Sequence, residues 1–280
     1  MQRRQFIQTS VQTTAVASAA ACGLAVAAPT APQARQLYEW RTYRFDEMST
    51  PVEGVQRAFK GKSKKYYQAK HAIVHDYLKS AALPAWQRLG LGPVGVFTEI
   101  GPDAGPSIHV LLVYPTLDFA EARESMERDP EFQQAAAAYH AAKKGDPAFE
   151  RIDSSLMIAF MGATSITPPA RKPRVLELRT YESFSEDRAR AKVEMFNDGE
   201  IGIFPNCGFE NVFFGETLVG ASLPNLKYML AAPDMAANEA GWKTFLANPD
   251  FVAMKDDPKY TDTVSKITKL FLEPTDYSQI

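Results

Sequence analysis

The sequence predicts an α+β fold of two tandem βαββαβ units whose antiparallel sheets pair around a single core. Three observations predict it. A strand-like stretch, LYEWRTYRF at residues 37–45, recurs as VLELRTYESF at residues 175–184. Later motifs then recur in the same order: VGVF (94–97) is answered by VFFG (212–215), SIHVLLVYP (107–115) by NLKYMLAAP (225–233), and DPEF (129–132) by NPDF (248–251). Each half also parses into apolar runs of strand length alternating with longer helical runs, and repetition at this spacing marks a duplicated supersecondary unit.

The elements follow from local signals. In the first copy, alternation gives a strand over 37–45, a helix over roughly 62–89, and strands over 94–100 and 107–114 across the turn GPDAGP. A helix over 118–143 and a strand over 155–161 complete it. In the second copy a strand over 174–183 leads to a helix over 186–204, entered at Ser185, whose hydroxyl suits an N-cap. Strands over 209–217 and 225–232 are joined through LVGASLP, a hairpin by its Gly and Pro punctuation. A helix starts at Met235, and the β-branched KITKLFLE closes the unit over 266–273. DPEF and NPDF each restart a helix: Asp129 or Asn248 caps it, Pro130 or Pro249 takes the first position, where no amide donor is needed, and Glu131 or Asp250 meets the positive end of the dipole.

The first unit therefore spans 37–165 and the second 174–280, joined by a linker at 166–173. Motif spacing is wider at the start of the repeat than at its end, so the first copy holds an insertion within 49–83. The element order is that of a ferredoxin-like split βαβ unit. Its antiparallel sheet carries helices on one face, and a second copy is the natural cover for the other.

Taken together, the EWRTY and ELRTY first strands, the IHVLLVYP third strand and the DPEF/NPDF turn resemble the NIPSNAP family of the dimeric α+β-barrel superfamily. The resemblance spans 37–160 and 174–272. It implies two ferredoxin-like sheets meeting as one barrel, so that one chain builds what single-copy relatives build as a dimer. It implies no catalytic residue set. Superfamily relatives that are cofactor-free monooxygenases or haem-binding barrels imply an oxygenase or haem-dependent oxidoreductase as an alternative by fold analogy alone.

The N-terminus, MQRRQFIQTSVQTTAVASAAACGLAVAAPTAPQA, joins paired arginines to a weakly apolar, alanine-rich stretch and then small residues at Ala25-Val26-Ala27. That pattern predicts a twin-arginine export signal over 1–27, a Pro/Ala leader over 28–36, and a periplasmic or secreted protein. The apolar stretch is too weak for a membrane anchor. Cys22 would leave with the signal, so Cys207 has no partner and the fold needs no internal disulfide. Lipidation at Cys22 is the rival reading, but Ala19 stands where a lipobox usually has Leu.

Composition excludes other classes. The 280-residue chain is 45% hydrophobic and 23% charged, with a formal net charge of -2. It has no global pull toward nucleic acid. No Gly-rich phosphate loop, G-x-S-x-G elbow or Cys-His signature is present. HAIVH places His71 and His75 at zinc-like spacing, yet Ala72 stands where a zinc-protease helix needs Glu and no third ligand is assignable, so neither a metal nor a cofactor is expected. Lys60, Lys62, Lys64, Lys65 and Lys70 read as a solvated face of the insertion.

The duplicated row is the candidate site. Side chains alternate along a strand, so Glu39, Arg41 and Tyr43 share one face, and Glu177, Arg179 and Tyr181 do the same. We expect this acid-base-phenol row to line the barrel interior, where Glu and Arg satisfy one another, and the leucine face to meet the helices. Arg41 and Arg179 are the natural anion anchors, with His109 and its counterpart Lys227 on the third strands joining the same cavity. Three function classes follow: a binder of a small molecule or protein partner, an enzyme of the barrel superfamily, and a cell-envelope adaptor. An open interior would favour the first two.

Overall fold

The computed structural model describes residues 34–45, 64–115, 119–170 and 174–280. The export signal, most of the leader, the last three residues of the linker, and the first part of the insertion with Lys60 and Lys62 lie outside the described residues.

The first repeat runs β1 (Leu37–Arg44), α1 (Lys64–Tyr77), a π-helical turn (Leu78–Ala82), α2 (Leu83–Arg88), β2 (Gly95–Glu99), β3 (Ile108–Tyr114), α3 (Phe119–Arg128), α4 (Pro130–Ala135), α5 (Ala137–His140) and β4 (Arg151–Ala159). The second runs β5 (Val175–Glu182), α6 (Glu186–Met195), a second π-helical turn (Phe196–Glu200), α7 (Ile201–Asn206), β6 (Glu210–Val219), β7 (Asn225–Ala232), α8 (Met235–Ala247), α9 (Pro249–Lys255) and β8 (Lys266–Pro274). The caps work as their chemistry dictates. Asp129 accepts from the amides of Glu131 and Phe132, and Asn248 from those of Asp250 and Phe251, with proline next in each case. Ser185 accepts from the Arg188 amide at the head of α6.

All eight strands close into one antiparallel barrel in the order β1-β3-β2-β8-β5-β7-β6-β4. Each repeat contributes its strands in the ferredoxin-like order, β4-β1-β3-β2 and β8-β5-β7-β6. Two seams join them. At one, Phe97 to Glu99 of β2 pair with Pro274 to Leu272 of β8; at the other, Met157 to Ala159 of β4 pair with Thr217 to Gly215 of β6.

The apolar side chains form three layers. Tyr38, Trp40, Phe97, Leu111, Val113 and Met157 from the first repeat meet Leu176, Leu178, Phe213, Met229 and Leu272 from the second inside the barrel. Outside it, Leu37, Tyr43, Val110 and Leu112 pack on Tyr67, Val74 and Trp86 of the first helical layer. Phe214, Tyr228 and Leu230 pack on Phe196, Phe204 and Phe245 of the second.

This reverses the expected facing of the first strands. The apolar face, Tyr38 and Trp40 in one copy and Leu176 and Leu178 in the other, fills the barrel, while the charged row faces the helices. An eight-stranded barrel is just wide enough for side chains to fill it. A dry interior of this kind rejects ionised groups, whereas the opposite face offers hydroxyl, amide and indole donors to hold them.

Candidate functional site: two helix–sheet cavities and a barrel mouth

The charged row lies between sheet and helices in both repeats, and the two copies differ. In the first, Glu39 is saturated. Arg41 donates to it in bidentate fashion, Nε to Oε1 at 2.6 Å and Nη2 to Oε2 at 2.8 Å, while Ser154 donates to Oε1 at 2.7 Å and Tyr114 to Oε2 at 2.9 Å. Burial alone would raise the Glu39 carboxyl, but the hydrogen bonds and charge of Arg41, with Ser154 and Tyr114, bring it below the usual range. The guanidinium also lies 5.4 Å from the Trp86 ring. The adjoining cavity, about 480 Å³, is bordered by Tyr77, Trp86, Met126 and His140.

In the second copy the partners divide differently. Glu177 Oε2 accepts from Asn238 Nδ2 at 2.8 Å and from Trp242 Nε1 at 2.5 Å, both on α8. The i, i+4 spacing brings that amide and indole to one helix face. Arg179 Nε lies 3.0 Å from Glu177 Oε1, yet this buried nitrogen makes no hydrogen bond. Nη1 reaches the Tyr181 hydroxyl at 3.1 Å, and Tyr228 donates to that same oxygen at 2.8 Å. No hydrogen bond uses Nη2 among the described residues. The guanidinium carbon lies over the Trp242 ring, 3.7 Å from its centroid, so cation–π attraction holds it in place while leaving donors unspent.

Arg179 borders a cavity of about 1060 Å³ whose walls include Tyr181, Met195, Trp242, Phe245, Phe251 and Phe271. Lys192 and Glu200 form a buried ion pair on its wall at 2.5 Å, with the ammonium 4.9 Å from the Phe196 ring. Burial raises the Glu200 carboxyl despite Lys192 beside it, and raises the Tyr181 and Tyr228 phenols despite Arg179. Among the described residues no histidine or cysteine borders this cavity.

His109 and Lys227 do not join the arginines. Both point to the barrel side of their strands, opposite the charged row, and meet at one mouth of the barrel around a pocket of about 240 Å³. His109 Nδ1 is 3.0 Å from Thr42 Oγ1, and Nε2 is 3.0 Å from Glu99 Oε1. Lys227 donates to Thr180 Oγ1 at 3.1 Å. Among the described residues no group of three or more His, Cys, Asp or Glu is placed to hold a metal ion. His75 instead pairs with the Tyr277 hydroxyl at 2.6 Å. No helix among the described residues is long and apolar enough to cross a membrane.

Sequence reasoning missed Lys192, Glu200, Asn238 and Trp242. The shared face of Asn238 and Trp242 was readable as helical spacing. The Lys192–Glu200 contact depends on the π turn between them, which no pattern in the sequence announces.

The architecture is that of a dimeric α+β barrel built within one chain. Residues 176–279 match the NIPSNAP family, so the second repeat is a NIPSNAP domain. No curated protein matches the sequence. Among solved structures, a candidate monooxygenase from Fusobacterium nucleatum superposes over 86% of this chain and 93% of its own, with a TM-score of 0.54 at 9% identity, a likeness of fold alone. A candidate monooxygenase from Lactobacillus acidophilus covers 86% of this chain and 94% of its own, with a TM-score of 0.47 at 10% identity. A NIPSNAP-like domain protein from Burkholderia xenovorans covers 39% of this chain and 92% of its own, at 16% identity and a TM-score of 0.35.

Proposed function

We propose that this protein binds a small, flat, largely apolar organic molecule carrying an acidic or phenolic oxygen, in the helix–sheet cavity of its second repeat. One observation carries the reading: Arg179 is buried and pinned over Trp242 with donors unspent at the edge of a large aromatic cavity. Ligand sites of this kind are mostly apolar with a few fixed polar groups. The first-repeat counterpart, Arg41, has its fork taken by Glu39 and serves the structure instead. The N-terminal pattern supports a periplasmic or secreted setting for this binding.

The test uses 1-anilinonaphthalene-8-sulfonate, which joins aromatic rings to an anionic group. The folded protein should bind it with saturable fluorescence enhancement. Arg179→Met should weaken binding by about ten- to a hundredfold, the range expected for hydrogen bonds to a charged group. Equal weakening by Arg41→Met, or none by Arg179→Met, would remove the assignment. Native mass spectrometry of protein purified after export would reveal a retained ligand directly.

A second reading, a cofactor-free oxygenase, draws support from the same cavity, since an arginine beside two phenols suits an oxygen-reactive phenolate. Oxygen uptake with an air-oxidisable hydroquinone, lost in Arg179→Met, is its test. The adaptor reading would show as an exposed apolar patch; residues 49–63 of the insertion lie outside the described residues.

A further inference from the structure

The register places Thr42 opposite His109 and Thr180 opposite Lys227, so the two repeats present equivalent hydroxyl–nitrogen pairs to the same barrel mouth. The imidazole has both ring nitrogens engaged by Thr42 and Glu99. The amine does not share that degree of satisfaction.

Every carboxylate around the mouth is occupied elsewhere. Glu182 holds Lys266 at 3.1 Å, Asp153 meets Arg44 at 3.1 Å, and Glu99 takes His109 together with the Gly105 amide at 2.6 Å. Lys227 therefore stands on the inner face of β7 with a threonine hydroxyl as its hydrogen-bond partner and, among the described residues, no acid in ion-pair contact. Leu178, Leu270 and Trp40 supply the apolar part of the same pocket. Burial lowers the Lys227 ammonium to about 8, only partly opposed by the charge of Glu182. A substantial neutral fraction is then present by about pH 8, which is how a lysine becomes nucleophilic.

We propose that the barrel mouth is a second ligand site, separate from the Arg179 cavity, in which the Lys227 amine condenses with a small aldehyde or ketone. The nitrogen lone pair attacks the carbonyl carbon, the two protons lost from the neutral amine pass to the carbonyl oxygen, which leaves as water, and a C=N bond joins the ligand carbon to Nζ. Thr180 positions the amine from its own strand. At about 240 Å³ the pocket has room for a compact carbonyl compound.

The experiment exposes the full chain at pH 8 to limiting propanal with sodium cyanoborohydride, which reduces the imine to a stable secondary amine, followed by peptide mass mapping. Lys227 should be alkylated severalfold faster than exposed Lys243 and Lys255. Lys227→Met should lose that adduct alone while still binding the anilinonaphthalene sulfonate probe. Thr180→Val should slow labelling of Lys227 without changing that of Lys243. Labelling that follows solvent exposure, with Lys227 among the slowest sites, would overturn the proposal. So would preferential labelling that persists after unfolding in urea. Neither result bears on the Arg179 cavity, whose readout is separate.

Discussion

Glu39 and Glu177 occupy the same position in the two repeats, and what surrounds each decides what its arginine is free to do. Glu39 carries a bidentate arginine, a serine and a tyrosine, so charge and hydrogen bonding cancel within one cluster. Its depressed carboxyl has a defined consequence. A group titrating lower in the folded state adds stability that is present above the unfolded carboxylate value, about 4.3, and lost as pH falls through the folded value. Glu39→Gln should destabilise the protein by about 1–3 kcal/mol at pH 7, because a buried guanidinium loses its counter-charge. It should also flatten the acid limb of stability against pH, measured as urea midpoints between pH 3 and 7; parallel acid limbs in the two proteins would contradict the assignment. The chemistry of this row was legible in the sequence, but its facing was not. Period-two alternation states which residues share a face and leaves open which face is wetter, and here Tyr38, Trp40, Leu176 and Leu178 fit the closed interior better than any charge.

Helix beginnings were the most legible features at the level of elements, because a cap is a local contract between one side chain and the next three amides. Asn248 shows the arrangement cleanly, so Asn248→Ala should cost about 1 kcal/mol and lower the thermal midpoint, while Asn248→Asp should retain it. An alanine variant with an unchanged midpoint would mean that packing of Phe251 on Phe245 alone holds α9 in place. The π turns are the opposite case. Leu78–Ala82 and Phe196–Glu200 occur at matching points of the two first helices, yet their residues, LKSAA and FNDGE, share no pattern that distinguishes them from ordinary helix. π-helical segments gather at functional sites, and the second shifts Glu200 around the helix until it meets Lys192 at the cavity wall. Glu200→Gln should therefore weaken binding of the anilinonaphthalene sulfonate probe less than Arg179→Met does, because Glu200 shapes the wall while Arg179 supplies the donors. The reverse order of effects would move the anion contact to Lys192.

Closure of the barrel makes the two repeats depend on each other, and this was legible because a one-sided sheet written twice has a partner in its own chain. Each repeat supplies half of the interior, and neither interior half is covered without the other. Unfolding should accordingly be a single transition despite the duplication. Gly215 tests this at the β4–β6 seam. A Cβ added there would lie 2.9 Å from Met157 Cβ and 3.4 Å from Tyr38 Cδ2, so strands from different repeats approach each other at a distance that only glycine allows. Gly215→Val should overpack the seam, cost about 1–3 kcal/mol, and lower one calorimetric midpoint shared by both halves. Trp86 sits in the first helical layer and Trp242 in the second, so their fluorescence, followed in single-tryptophan variants, should report the same midpoint. If the Trp242 signal alone moved, the repeats would be folding as independent domains, and the shared interior would not be what holds the two helix–sheet cavities in shape.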